Sequence, residues 1–249
     1  MLRIVFAPRD PSRDRLLTAS TFPAYLGFSK YGSREKEINR RTKRPCSPPN
    51  NFHLQRGHEE EANTVELLAK SQLFQGFRHN VEHTFVLDQI GGTPDMVNEN
   101  NTIGVEIKNI FLQNENLQNF LRISTDFDRD KLIEVIEQQA SPLYKNNVMR
   151  MHLLQCIMCM AVLNADRNRD TWEYYLVQRV CTTYPYRVFI FRLLVFPPHN
   201  ELWAILRIIQ RLFQEEIDFG YQPRNDEYLR KCGQKLLRKL HISNMSDML

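Results

Sequence analysis

The sequence predicts an α/β protein in which a mixed sheet is flanked by helices. Segments with the alternating apolar pattern of strands occur among segments with helical spacing, in the order helix, strand hairpin, helix, two strands and helices. The length of 249 residues, with 42% apolar and 25% charged residues, is ordinary for a globular chain. We therefore predict a single domain over residues 1–249.

The N-terminal elements are predicted to be helices. Residues 18–30 have Ser20 or Thr21 as a helix cap and Gly27 as the residue that ends the helix. Residues 57–73 predict the next helix from their apolar spacing.

A β-hairpin follows, built from the segments Val81–Leu87 and Thr102–Lys108. The sequence AsnGluAsnAsn at 98–101 is typical of a turn that folds two strands together. The second segment alternates strictly, so its apolar residues face one side while Glu106 and Lys108 face the other.

For the C-terminal half of the chain, the sequence pattern predicts more helices than strands. Helical spacing is found over 131–140, 148–164, 200–217 and 225–240, and strand patterns are found over 172–180 and 186–196. The apolar run Leu153–Leu163 is too short to cross a bilayer and predicts a buried helix, with no membrane partner.

Cysteine usage predicts a reduced, intracellular protein. Five cysteines are an odd number, and no signal peptide is predicted at the short apolar start that an arginine interrupts. We expect an intracellular protein that is not secreted. If it is viral, we expect it in the cytoplasm or nucleus of a host cell. Cys156 and Cys159 lie in an apolar helical run, which favours core packing over zinc or redox chemistry.

Basic charge is concentrated in the segment 34–50, although the net formal charge is only +4. Residues 34–44 carry the lysines and arginines, and the proline-rich residues 45–50 predict a loop. Such a cluster suits binding of a phosphate backbone, because lysine and arginine release condensed counterions from nucleic acid. A solvated helix face followed by a loop explains the same pattern, so both interpretations stay open.

The hairpin carries the residues most informative about function. GlyGlyThrProAsp ends at Asp95, and ValGluIleLys contains Glu106 and Lys108, so the hairpin brings two carboxylates and a lysine together. Carboxylates are ligands for Mg²⁺, and lysine can orient or help deprotonate the attacking water and neutralise a phosphate. The motif predicts a metal-dependent nuclease, with an edge hairpin of solvated side chains as the alternative.

Two predicted helices place polar residues on apolar faces. Glu61 shares a stripe with Val65 and Leu68, so it must be paired or linked to a metal; a salt bridge to an arginine is the alternative. His58 lies near this stripe, where a hydrogen-bonded histidine is more common than a ligand. Gln155 is a single amide in an apolar run, so it either satisfies a backbone group or reaches into the site.

Four segments in order resemble the YqaJ-like viral recombinases, the lambda-exonuclease-like branch of the PD-(D/E)XK nucleases. They are LeuThrAlaSerThrPheProAlaTyrLeuGlyPheSerLysTyr at 17–31, ArgGlyHisGluGluGluAla at 56–62, the hairpin pair, and HisLeuLeuGlnCysIleMet at 152–158. The resemblance implies a PD-(D/E)XK restriction-endonuclease-like core. It also implies a Mg²⁺-dependent enzyme, with two ions that Mn²⁺ can replace, which digests duplex DNA from the 5′ end in recombination or repair.

The resemblance also implies roles for individual residues. The implied catalytic residues are Asp95, Glu106, Lys108, Glu61 and Gln155, and the implied metal ligands are Asp95, Glu106, Ile107 and Glu61. The implied contacts to a 5′ phosphate are Arg13, with Arg15 as an alternative, Ser20 and Thr93. Arg40, Arg41 and Arg44 of the basic segment are the further expected DNA contacts.

The chain departs from the family pattern between Lys108 and Gln155, where an Asn/Gln-rich stretch lengthens the connection and predicts an insertion over 109–147. That insertion could cap a DNA channel or block a trimer, so oligomeric state, processivity and polarity stay open. The expected partners are duplex DNA with a free end and a single-strand annealing protein. The alternative functions are a structure-selective or RNA-cleaving endonuclease on the same core and a non-catalytic nucleic-acid-binding module.

Overall fold

The computed structural model describes residues 3–6, 15–29, 33–42, 52–81, 83–110, 148–165, 171–181 and 187–245. The helix predicted over 131–140 and the insertion beyond Ile110 lie outside these ranges, as do Arg13 and Arg44. Within the described part of the chain, no helix is long and apolar enough to cross a membrane.

The described elements alternate between strands and helices. In chain order they are β1 (Arg3–Phe6), β2 (Leu17–Thr18), α1 (Phe22–Tyr25), α2 (Arg34–Thr42), α3 (Phe52–Ala69), β3 (Phe77–His79), β4 (His83–Leu87), β5 (Ile90–Gly92), β6 (Met96–Asn98), β7 (Gly104–Ile110), α4 (Val148–Asn164), β8 (Trp172–Val180), β9 (Arg187–Val195), α5 (Asn200–Phe219), α6 (Asp226–Arg238) and β10 (His241–Asn244). Short 3-10 helices cover Gln72–Phe74 and Pro223–Asn225.

The strands form two mixed sheets, which confirms the predicted α/β class. The larger has the order β10-β9-β8-β7-β6-β3, and its neighbours are antiparallel except for the parallel pair β7 and β8. The smaller has the order β1-β4-β5-β2, with β2 parallel to β5. Two parallel neighbours need a crossover connection, and α4 lies in the connection from β7 to β8.

Apolar side chains of the larger sheet pack on both faces. On one face, Val105 and Ile107 join Leu68 of α3 in a small cluster. On the other, α1, α4, α5 and α6 contribute to the main core. The predicted alternation along β7 is therefore confirmed: its apolar residues face α3, and Glu106 and Lys108 point to the opposite face.

Helix α4 lies close against the strands because two glycines leave room for it. A Cβ built on Gly104 would stand 3.1 Å from Leu163 Cδ1, and one on Gly92 would stand 3.0 Å from the Cα of Cys159. Leu163, near the end of α4, lies beside Gly104 at the start of β7. His152, near the start of α4, lies 3.5 Å from Gln178, the register partner of Lys108, so α4 runs antiparallel to β7. This packing sets one wall of the candidate site.

The predicted pairing of Val81–Leu87 with the motif strand is wrong. β4 reverses at Asp88, whose φ of 52° suits a tight turn, and pairs with β5 and β1. The antiparallel partner of β7 is β6, which at three residues is too short to give an alternating pattern. The turn at 98–101 is confirmed: Asn98 Oδ1 accepts from the Thr102 and Ile103 N–H groups at 2.7 and 3.0 Å.

The other differences concern boundaries. The helix expected over 18–30 is reduced to α1, because Leu17–Thr18 pairs with β5 as a strand. Gly27, with φ of 77°, follows that helix as expected. The strand predicted over 172–180 has those bounds, whereas β10 was not predicted.

Candidate active site

Asp95 lies where β6 and β7 separate. The two strands pair only through Met96 with Val105 and Val97 with Gly104, and the Asp95 N–H donates to the Val105 carbonyl at 2.9 Å. Two residues further along β7, the Ile107 N–H donates to Asp95 Oδ2 at 2.6 Å. The carboxylate therefore takes the place of a neighbouring strand at the open edge of β7.

Glu106 and Lys108 meet on the α4 side of β7. Glu106 is 2% exposed, and the Lys108 ammonium donates to its Oε1. The other oxygen, Glu106 Oε2, is buried and has no hydrogen-bond partner among the described residues. A buried carboxylate oxygen without a partner is unfavourable, so this site favours a further cation or donor.

The two carboxyl groups oppose each other's ionisation. Burial, together with the charge of Glu106, raises the pKa of Asp95 well above its usual range. Burial also raises the pKa of Glu106, although the Lys108 charge acts in the opposite direction. Burial and like charge both disfavour the ionised carboxylates, and a bound cation would relieve both effects.

Lys108 is an ammonium at neutral pH. Burial alone would lower its pKa, but the charges of Glu106 and Asp95 and the hydrogen bond to Glu106 outweigh that effect and raise the pKa. A lysine with a raised pKa is a poor proton acceptor. Its geometry therefore suits stabilisation of negative charge and orientation of water better than abstraction of a proton.

Glu61 approaches from α3, on the other face of the sheet. Its charge contributes to the raised pKa values of both Asp95 and Glu106, so Glu61 acts electrostatically on the two motif acids. Glu61 Oε1 lies 3.2 Å from His79 Nε2, and its side chain is 24% exposed. Its neighbour Glu60 has a salt bridge to an arginine, with Glu60 Oε2 3.0 Å from Arg179 Nη1.

The donor set fits a small hard cation better than a structural metal. No group of three or more His, Cys, Asp or Glu side chains in the described ranges forms a preformed metal cage. Mg²⁺ needs no such cage, because it keeps several waters and takes one or two carboxylates plus phosphate oxygens. Asp95 and Glu106 supply two carboxylates. The Ile107 carbonyl points to the same edge as its N–H, towards Asp95.

Helix α4 gives the site a neutral, buried wall. Cys156 and Cys159 are buried free thiols, which confirms core packing, and burial with the Glu106 charge raises their pKa values. Burial and the Lys108 charge lower the pKa of His152 well below its usual range. The wall therefore stays uncharged at neutral pH and strengthens electrostatic interactions in the site.

Gln155 lies on the border of this wall. It is half-buried and about 100° around α4 from Cys156. Its role as a site residue stays a prediction. His58 is in α3, but its side chain lies outside the described part of the structure.

Ser20 and Thr93 lie beyond the ends of two parallel neighbours. Thr18 of β2 pairs with Gly91 of β5, and each hydroxyl residue stands two positions after its member of that pair. Ser20 is exposed, with its Oγ 3.2 Å from Thr18 Oγ1, and Thr93 Oγ1 lies 2.8 Å from Thr84 Oγ1. Parallel strands end at the same edge, so both hydroxyls lie near the segment that leads to Asp95.

The basic segment has two kinds of arginine. Arg40 has a side chain that is 59% exposed, and it pairs with Glu37. Arg41 has a side chain only 4% exposed: it donates to Glu37 Oε1 at 2.6 Å, to the Leu16 carbonyl at 2.7 Å and to Thr21 Oγ1 at 3.1 Å. Arg41 therefore joins α2 to the Ser20 loop, whereas Arg40 faces solvent. Arg15, the alternative to Arg13, is exposed and paired with Asp218.

Comparison with known proteins adds a structural likeness. No protein-family model and no curated protein sequence matches the chain. A solved structure, the crystal structure of an alkaline exonuclease (LHK-Exo) from Laribacter hongkongensis, matches with a TM-score of 0.46 and 16% sequence identity. The match covers 90% of this chain and 96% of that chain. The functional interpretation therefore depends on the geometry of the site itself.

Proposed function

We propose that the chain is a metal-dependent nuclease, specifically a Mg²⁺-dependent deoxyribonuclease that hydrolyses phosphodiester bonds in duplex DNA from the 5′ end. The observation that carries this proposal is the meeting of Asp95, Glu106 and Lys108 at the open edge of β7, with one Glu106 oxygen buried and unpartnered among the described residues. Such a site combines excess negative charge, which suits a cation, with a cationic donor, which suits a phosphate.

The chain's own residues divide the work of hydrolysis. Divalent cations bound to the carboxylates would supply an activated water and stabilise the leaving oxygen. The Ile107 N–H holds Asp95 at a fixed position beside β7. The Lys108 ammonium, which donates to Glu106 Oε1 in this structure, would donate to the phosphate as negative charge develops there.

The preference for a 5′ end rests on Ser20 and Thr93. Their hydroxyls lie at one edge of the smaller sheet, and Thr93 is on the segment that continues to Asp95. Both hydroxyls would donate to a terminal phosphate. Arg41 supports the Ser20 loop through Thr21 and Leu16. This proposal favours membership of the chain in the lambda-exonuclease-like family of PD-(D/E)XK nucleases.

One assay tests the proposal. Duplex DNA labelled at either end is incubated with the protein in Mg²⁺, in Mn²⁺ and in EDTA. We expect metal-dependent release of nucleotides from the 5′ end and slower digestion of 5′-dephosphorylated duplex. Cleavage of closed circles would replace the exonuclease assignment by an endonuclease, and digestion of RNA alone would replace the substrate. Binding without cleavage in either metal would leave the non-catalytic module as the function.

A further inference from the structure

We propose that Arg179 of β8 is a positioning residue for the candidate active site, acting through Glu60 on the orientation of α3 and thereby on Glu61. The inference rests on the proposed nuclease function. It concerns a residue on the strand beyond β7, outside the motif segments.

Arg179 is an internal cation fixed by α3. Only 5% of the residue is exposed, and its Nη1 donates to Glu60 Oε2 at 3.0 Å and to Thr64 Oγ1 at 3.2 Å. The same nitrogen lies 3.4 Å from the Glu60 carbonyl oxygen. One guanidinium therefore contacts two successive turns of α3, at positions i and i+4.

The contact extends to the end of the motif strand. Thr64 is fully buried, and its hydroxyl lies 2.9 Å from Asn109 Oδ1. Asn109 follows Lys108 and is the register partner of Arg179 in the parallel β7–β8 pair. The side chains of Arg179, Thr64 and Asn109 thus join α3, β7 and β8 beside the catalytic lysine.

This connection controls where Glu61 points. Glu60 and Glu61 are consecutive on α3, so the contacts that fix Glu60 also fix the rotation of the helix segment that carries Glu61, whose Oε1 lies 3.2 Å from His79 Nε2. The charge of Glu61 in turn acts on Asp95 and Glu106. A side chain about 6 Å from the helix axis moves about 2 Å when the helix rotates by about 20°. Misplacing a catalytic group by about 1 Å can reduce a rate about 100-fold.

Packing alone is a weak explanation for a buried arginine at this position. Removing a cation and its carboxylate from water is unfavourable, and apolar residues of similar volume often stabilise a protein equally well. The Arg179–Glu60 pair has a geometric effect that an apolar pair lacks, because it defines both the rotation and the height of α3.

A double-mutant cycle between Arg179 and Glu61 tests the proposal. Arg179→Met and Arg179→Lys are made alone and in the Glu61→Gln background, and kcat and KM for end-labelled duplex are measured. We expect Arg179→Met alone to lower kcat about 10- to 100-fold, with KM changed less than about 2-fold. In the Glu61→Gln background it should lower kcat less than about 2-fold, because the group that it positions is already lost.

Mn²⁺ binding provides a readout that needs no catalysis. The Mn²⁺ concentration that half-saturates the thermal stabilisation should rise for Arg179→Met and be partly restored in Arg179→Lys. The matched control is Arg192→Met. Arg192 is on the neighbouring strand β9, and its side chain donates to Glu173 Oε1 of β8 at 2.8 Å. This control should keep wild-type kcat and Mn²⁺ response.

The outcomes separate the two proposals. Equal losses of kcat in the wild-type and Glu61→Gln backgrounds would show a merely structural role and overturn the inference. If Arg179→Met does not fold, the same cycle with Arg179→Lys decides. Absence of nuclease activity in the wild type would overturn the proposed function, while an unchanged Mn²⁺ response in the Arg179 variants would overturn this inference independently.

Discussion

Replacing Lys108 by alanine perturbs the candidate site most directly. In the wild type the ammonium lies against Glu106 Oε1, and its charge lowers the pKa values of both Glu106 and Asp95. Without it, the buried Glu106 and the half-buried Asp95 keep only like charges, including Glu61, among the charged neighbours that affect their pKa values. We expect metal-dependent cleavage to fall steeply while DNA binding is nearly unchanged, since one side chain contributes little to a phosphate-backbone interface.

The magnitude follows from the burial of the pair. Truncating one partner of a fully buried ion pair costs about 3–5 kcal/mol. Here the Lys108 side chain is 25% exposed, and the acids can take up a proton, so we expect a loss of about 1–2 kcal/mol in folding free energy. For the reaction, losing one preorganised donor to a developing charge costs about 3–4 kcal/mol, which is a 100- to 1,000-fold decrease in kcat.

Single-turnover cleavage of end-labelled duplex in Mg²⁺ measures the rate, and fluorescence anisotropy in EDTA measures DNA binding. Lys231→Ala is a matched control, because this lysine pairs with Glu227 on α6 and its side chain is 65% exposed. The reasoning is refuted if Lys108→Ala cleaves at the wild-type rate, or if its cleavage falls only in proportion to its DNA binding.

Three further predictions concern pH, packing and charge. The folded-state pKa values of Asp95 and Glu106 are raised, so the metal-free protein should lose stability as pH rises from the ordinary acidic range of these groups through the raised values. Mn²⁺ should restore more stability at higher pH. Thermal melts with and without Mn²⁺ measure this, and a Mn²⁺-induced shift in Tm that does not depend on pH would contradict it. Gly104→Ala should destabilise the fold by about 1–3 kcal/mol, because its Cβ would stand 2.5 Å from Tyr174 Cε2. Gly91→Ala should destabilise the fold less, because the nearest neighbours of its Cβ would stand at 3.5 Å or more. Equal denaturation midpoints for the two variants would show that the strands and α4 adjust freely. Arg40→Glu should weaken DNA binding and make it less dependent on salt concentration, at unchanged folding stability. Arg41→Glu should lower the folding stability as well. An unchanged salt dependence of DNA binding for Arg40→Glu would assign that arginine to solvated surface.

Local pattern was sufficient where one element buries one face. The alternation in β7 predicted which side carries Glu106 and Lys108, because a period of two leaves no other arrangement when the apolar side is covered. The helix α4 and the strand over 172–180 were also predicted, although both are buried on more than one face. Pattern failed for β6, which has three residues, and for the pairing of β4, which depends on a turn at Asp88 rather than on hydrophobicity.

The inward-facing acids of α3 show the limit of helical periodicity. The stripe predicted that Glu61 faces the interior, and its charge does act on Asp95 and Glu106. The stripe did not indicate that Glu60 pairs with a buried arginine 119 residues away. Periodicity compares residues within one helix, so it contains no information about a cation supplied by a distant strand.

The sequence by itself determined the α/β class, the strand that carries Glu106 and Lys108, and the buried helix that follows, since these depend on periodicity within a few residues. Only the tertiary structure decided that Asp95 accepts the Ile107 N–H where β6 and β7 separate, and that Lys108 neutralises Glu106. It alone placed Arg41 and Arg179 inside the protein. Burial and charge pairing depend on which segments meet in space, and no local pattern encodes that distance.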